Sequence, residues 1–182
     1  SQTLQAHAAT LVADTGYITI NGSINALGDR PYIGLFASDD LTLSDTANIS
    51  LLQSGDNPYN SSLLELSSSG GTVSILDGHV LSAINEAGQL SELKIFAPLT
   101  SAQTGMDLLL ENHNITGFDS ITALATKQYN HTDLSADTLS AIKTDLATFE
   151  SNVDSIAANL SATGAVVDVT AGVEIYSQQG IT

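Results

Sequence analysis

The chain has 182 residues, with 20 Asp plus Glu against 4 Lys plus Arg, no cysteine, and 42% apolar residues. A formal charge of −16 argues against nucleic acid and anionic membranes as partners, because phosphate binding needs clustered cations. Without cysteine, disulfide staples and thiolate metal sites are excluded, and the apolar content suits one folded domain or a slice of a longer array. No apolar run approaches a membrane span. No signal peptide stands at Ser1, so any such segment is expected to have been removed or to lie upstream.

From the N-terminal side, the alternation of Tyr17 and Thr19 with Ile18 and Ile20 predicts a strand with one buried face. Asn21-Gly22 then reads as a turn. In a hairpin it would be a type I′ signal; in a coil it bends the chain into its next side, leading to Ile24. Residues 33–55 supply one full unit: Ile33–Ala37, a bend at Ser38-Asp39-Asp40, Leu41–Leu43, a bend at Ser44-Asp45-Thr46, and Ile49–Leu52. Residues 56–62, with Pro58, are expected to leave the coil as a loop. The next unit runs Leu63–Leu66, Val73–Ile75 and Val80–Ile84. A further one runs Leu93–Ala97, Met106–Leu110, Ile115 and Ile121–Ala125. The last is expected as Val166–Val169, a bend at Ala171-Gly172, and Val173–Tyr176.

The unit recurs about every 30 residues, a period that signals stacked repeats. Short strands with bends rich in Asp, Asn, Ser and Gly fit a parallel coil, each strand pairing with its equivalent above and below. One segment breaks this grammar. Leu139, Ile142, Leu146, Phe149, Val153, Ile156 and Leu160 are spaced three and four apart, one stripe of an amphipathic helix. The insert spans about 133–162, with Asp133 or Ser135 as N-cap, Gly164 closing it, and a break near Ser151-Asn152 giving a helix pair. It is expected along one flank of the coil; a coiled-coil partner is the other reading. The fold class is therefore an all-β solenoid, a parallel β-helix with one α-helical insertion, in a single unit over 1–182.

Residues 93–182 resemble a segment of the filamentous haemagglutinin family of large two-partner-secretion exoproteins. The pieces are Leu93-Lys-Ile-Phe-Ala-Pro, Asp107-Leu-Leu-Leu, Asn114-Ile-Thr-Gly-Phe-Asp-Ser-Ile-Thr-Ala, the helical insert, Val166–Val169, and Ala171-Gly-Val-Glu-Ile-Tyr-Ser. Ala171 stands where the family usually has Pro. The Ile-Thr-Ile-Asn-Gly-Ser-Ile phrase at 18–24 is similar to the family's early coils. The scarcity of Lys, Trp and Met beside abundant Ser, Thr, Asn, Gly and Asp is also that of secreted bacterial surface proteins. The resemblance implies a right-handed parallel β-helix, exported across a Gram-negative outer membrane by a partner transporter. It also implies service as an adhesin, matrix component or stalk. No catalytic residue belongs to the shared region.

Candidate sites are few. His7, His79, His113 and His131 are dispersed and lack zinc spacing. Asp39, Asp40 and Asp45 flank Leu41–Leu43 at neighbouring bends. Carboxylates beside turn carbonyls are calcium-type ligands, but the glycine-rich nonapeptide of calcium-binding coils is absent, and Asx-type capping is the plainer reading. Asn-x-Ser/Thr sequons begin at Asn21, Asn48, Asn60, Asn114, Asn130 and Asn159. Asn60 and Asn130, in expected loops, are the best glycan acceptors. Tyr32, Tyr59, Tyr129 and Tyr176 are candidate stacking surfaces for host or surface glycans. A polysaccharide lyase needs a base and a cation that Arg30 alone supplies poorly. A hydrolase needs paired carboxylates, which different coils could align. No nucleophile-elbow or P-loop motif is present.

The expected function is a non-catalytic structural or adhesive module of an extracellular protein, needing no cofactor. A self-assembling filament subunit is the first alternative and a polysaccharide-active enzyme the second. The sequence stops at Gly180-Ile181-Thr182 in mid-phrase, so neighbouring coils, or copies of the same chain stacked end to end, are the expected partners.

Overall fold

The structure is a computed structural model that describes residues 2–55, 60–85, 89–102, 104–111, 114–130, 134–161 and 164–176. Short strands dominate, and among the described residues every pairing between two strands is parallel, with one isolated antiparallel bridge between Leu99 and Met106. The first sheet contains β1 (Thr3–Ala6), β4 (Ser23–Gly28), β7 (Asn48–Gln53), β10 (Val80–Ile84) and β13 (Ile115–Thr116). The second contains β2 (Ala8–Ala13), β5 (Tyr32–Ala37), β8 (Ser61–Ser68), β11 (Leu90–Pro98), β14 (Ser120–Asn130) and β15 (Val166–Tyr176). The third contains β3 (Ile18–Ile20), β6 (Leu41–Leu43), β9 (Val73–Ile75) and β12 (Leu108–Leu110). The chain visits the three sheets in strict rotation from β1 to β14. The result is an all-β, solenoid-like fold.

Period-two alternation decides which side chains face inward. In the second sheet Leu11, Leu35, Leu66, Ile95, Ala123 and Val169 fall in one register row. In the first, Leu4, Ile24, Ile49, Leu81 and Ile115 do so; in the third, Ile20, Leu43, Ile75 and Leu110. Apart from the exposed Leu4, these rows belong to one continuous core. The steps are about 30 residues, except for a shorter first one and a longer last one, which holds the helices.

The bends stack as the strands do. Ser68 Oγ donates to the Asp39 carbonyl of the coil below at 2.5 Å, and Ser69 Oγ to the Ser38 carbonyl at 3.2 Å. Asn21-Gly22 connects β3 to β4 with no hairpin. Gly22 is required there because a Cβ would lie 2.6 Å from the Gln2 carbonyl oxygen.

The helix pair comprises α1 (Ala136–Glu150) and α2 (Val153–Ser161), broken at Ser151-Asn152 as the sequence predicts. Ser135 is the N-cap, its hydroxyl accepting the Thr138 N–H; Asp133 lies outside the described residues. Gly164 follows at φ +80°. The pair occupies the stretch of chain where strands of the third and first sheets would next be due. It packs on β15, with Phe149 and Leu160 fully buried in the common core. Lys127 and Tyr129 of β14 continue the inward alternation of Ile121, Ala123 and Ala125, and α1 covers that inward face.

A difference concerns the expected bend at Ala171-Gly172. β15 is unbroken there, because β14 runs on to Asn130 and offers a partner to every β15 residue from Val166 to Tyr176. β8 already begins at Ser61, within the expected loop 56–62, and residues 56–59 lie outside the described residues, as does the terminal stub at 180–182.

Candidate functional site: the outer faces of the sheets

The three carboxylates considered for calcium are held apart. Asp39 and Asp40 sit in the bend before β6, and Asp45 in the bend after it. Asp40 Oδ1 accepts the Thr72 N–H of the next coil at 2.8 Å, which is the Asx-type capping role. Among the described residues, no three His, Asp or Glu side chains converge where a metal ion could be held. His79 is fully buried with Nδ1 against the Leu76 carbonyl, while His113 and His131 lie outside the described residues.

Asn60 is buried rather than displayed in a loop, with Oδ1 accepting the Arg30 Nε–H of the preceding coil at 2.9 Å. Asn130 is exposed at the end of β14, beside Thr132, which lies outside the described residues.

The tyrosines are largely committed to internal partners. Tyr32 donates to Glu65 at 3.1 Å, and Tyr176 to Glu174 at 3.0 Å. Tyr129 is buried and donates to Asp145 of α1 at 2.6 Å. Lys127 also pairs with Asp145, and its ammonium lies 5.1 Å from the Tyr129 ring centroid. Hydrogen bonds from Lys127 and Tyr129 hold the Asp145 carboxyl below the usual carboxylate range. Burial, then the bond to Asp145, pushes the Tyr129 phenol well above its ordinary range. This trio fastens α1 to β14. Tyr59 lies outside the described residues.

Among the described strands the charged residues all belong to the second sheet, and all but Lys127 stand on its outer face. Lys94 meets Glu92 at 3.4 Å, Thr122 donates to Glu92 at 3.2 Å, and Gln128 donates to Glu174 at 3.2 Å. Glu65 stands next to Lys94 in register, and Glu92 next to Leu63 and Ser120. Glu65 and Glu92 are thus diagonal neighbours on adjacent rungs, each beside Lys94.

The first sheet is the opposite case. In a chain of formal charge −16, none of the residues in β1, β4, β7, β10 or β13 is charged. Its outward positions form rows. Gln5, Asn25, Ser50, Ser82 and Thr116 make a five-rung ladder of uncharged hydrogen-bonding groups. Leu27, Leu52 and Ile84 make a parallel aliphatic ridge, with Leu52 39% and Ile84 56% exposed. A shallow depression centred on the ladder takes in Leu27 and Leu52 on one side and Asn48 and Val80 on the other. Single strands do not display this arrangement, since the rows exist only once the register is known. Missing charge alone does not reveal it in the sequence, because the strands of the third sheet are uncharged too.

Comparison with family models, with curated proteins and with solved structures finds no match.

Proposed function

We propose that the chain is a right-handed parallel β-helix serving as a non-catalytic structural and adhesive module of an extracellular bacterial surface protein. The observation that carries this reading is the unbroken run of in-register rows through three sheets, which builds length and surface rather than a cleft. Right-handedness follows from the rule that crossovers between parallel strands of one sheet turn right-handed. The resemblance to filamentous haemagglutinin proteins supports export through a partner transporter, because its quoted pieces fall in order on β11 to β15 with the helix pair between the last two.

The test is incubation of the purified chain with polyuronates and chitin-like polymers, followed by assay for new reducing ends. Unchanged polymers are expected, and turnover overturns the reading.

A second reading, a filament subunit, is favoured by one feature. The outer edge of β15 carries no further strand among the described residues, while Leu4, on the first coil at the other end, is 47% exposed on the core row. Fibres of the isolated chain under the electron microscope would support it, and a monomer at all concentrations would remove it.

A further inference from the structure

We propose that the outer face of the first sheet binds a neutral, unbranched polysaccharide lying along the solenoid axis, across β4, β7 and β10. This inference rests on the adhesive reading and gives it a ligand class. Three independent features of the face select that class.

The first is charge. The strands of this face carry no charge, as do those of the third sheet, in a chain that is strongly acidic as a whole. A uronate or sulfated polymer is repelled by the surroundings, and an amino polymer finds no carboxylate on these strands. A second copy of the chain would set one charge of −16 against another. A neutral glycan meets neither penalty.

The second is unspent hydrogen-bonding capacity. On the second sheet the outward polar groups are taken up by one another, as in Tyr32–Glu65, Thr122–Glu92 and Gln128–Glu174. The amides and hydroxyls of the Gln5–Thr116 ladder make no such bonds within the described structure. Amides and hydroxyls both donate and accept, which is the pattern sugar hydroxyls require.

The third is shape and period. Rungs repeat about every 4.8 Å, close to the advance of one sugar ring in an extended chain. The Leu27–Leu52–Ile84 ridge can cover the C–H faces of the rings while the ladder bonds their hydroxyls, apolar and polar together in one concave strip. The shallow depression over the ladder suits a linear chain better than a flat crystal face.

The test is affinity electrophoresis of the full chain in gels containing hydroxyethyl cellulose, dextran or pullulan, with polygalacturonate and chitosan as charged comparisons. Retardation by at least one neutral polymer and none by polygalacturonate is expected. Ser50→Glu, an exposed-face change at the centre of the ladder, should weaken retardation about tenfold or more, since a carboxylate must then lose water against an uncharged ligand. Its melting curve and circular dichroism should match those of the parent chain. If the variant does not fold, Asn25→Ala and Ser82→Ala together serve the same purpose. The proposal is overturned if no neutral polymer retards the chain, if folded variants bind as well as the parent, or if sedimentation shows that the face instead joins two copies. Cleavage of a polymer would sink the non-catalytic reading, whereas absence of binding by a folded chain sinks this inference alone.

Discussion

Asp145 shows how one side chain joins the insert to the strands. Lys127 and Tyr129 both donate to it, so its carboxyl ionises more readily in the folded chain than in the unfolded one. A group with a depressed folded pKa contributes its stability above the unfolded value and loses it as pH falls through the folded one. Asp145→Asn is therefore expected to cost about 1–2 kcal/mol at neutral pH, the range of charge-assisted bonds in a part-exposed setting. In urea titrations the gap between variant and parent should close below about pH 4, where free aspartates protonate. A gap that persists unchanged in acid would show that packing, not charge, sets the cost. Tyr129 adds the alkaline counterpart: its raised pKa makes its contribution complete below the unfolded phenol value and lost as pH rises beyond it. A different residue-scale constraint acts at Gly117. Its φ is +77°, and a Cβ there would run into the Ala83 carbonyl oxygen of the coil below. Gly117→Ala should destabilise by about 2 kcal/mol or more, through conformational strain plus displaced backbone. Chemical denaturation reads this directly, and a neutral result would mean that the corner between β13 and β14 is built differently.

At the scale of elements, the helix pair is secured by Phe149 more than by any polar contact, because that ring is fully buried beside β15. Phe149→Ala should cost about 3–5 kcal/mol. Hydrogen exchange should rise in α1, α2 and β15 while β5 and β8 stay protected, since coils share only nearest-neighbour contacts. Uniform loss of protection would contradict that locality. The elements also show what the amino-acid order reveals. The bounds of β6, β9 and β10 follow from the sequence, because short aliphatic runs are fenced by Asp, Ser and Gly. The helix pair is equally legible, since a three-and-four spacing has no place in a strand. β1 and the start of β2 escape notice, as Thr-Leu-Gln-Ala and Ala-Ala-Thr have little apolar contrast and alanine is a weak strand former. The far halves of β14 and β15 are hidden for another reason. Lys127-Gln128 and Ala171-Gly172 look like interruptions, yet each strand supplies the other's ladder. The burial of Asn60 is hidden as well, since its partner Arg30 lies one coil away. The ladder on the first sheet is invisible until the register aligns residues that are about 30 positions apart.

For the whole molecule, two consequences follow from stacking and charge. A substitution in the middle of a core row, such as Leu35→Ala, should cost about 2–5 kcal/mol, because Leu35 is fully buried between Leu11 and Leu66. The formal charge of −16 should make thermal stability rise with added sodium chloride and then level off near 0.1 M, where screening reaches about 10 Å. The register itself underlies both the stacked core rows and the uncharged face of the first sheet. A chain without cysteine permits a clean measurement. Thr42 of β6 and Ser74 of β9 are register partners on the outer face of the third sheet. Pyrene attached to Thr42→Cys and Ser74→Cys should give strong excimer emission from rungs about 4.8 Å apart. The pair Thr42→Cys and Ser82→Cys, on different sheets, should give monomer emission alone. Excimer from the second pair, or none from the first in a folded chain, would contradict the stacked architecture.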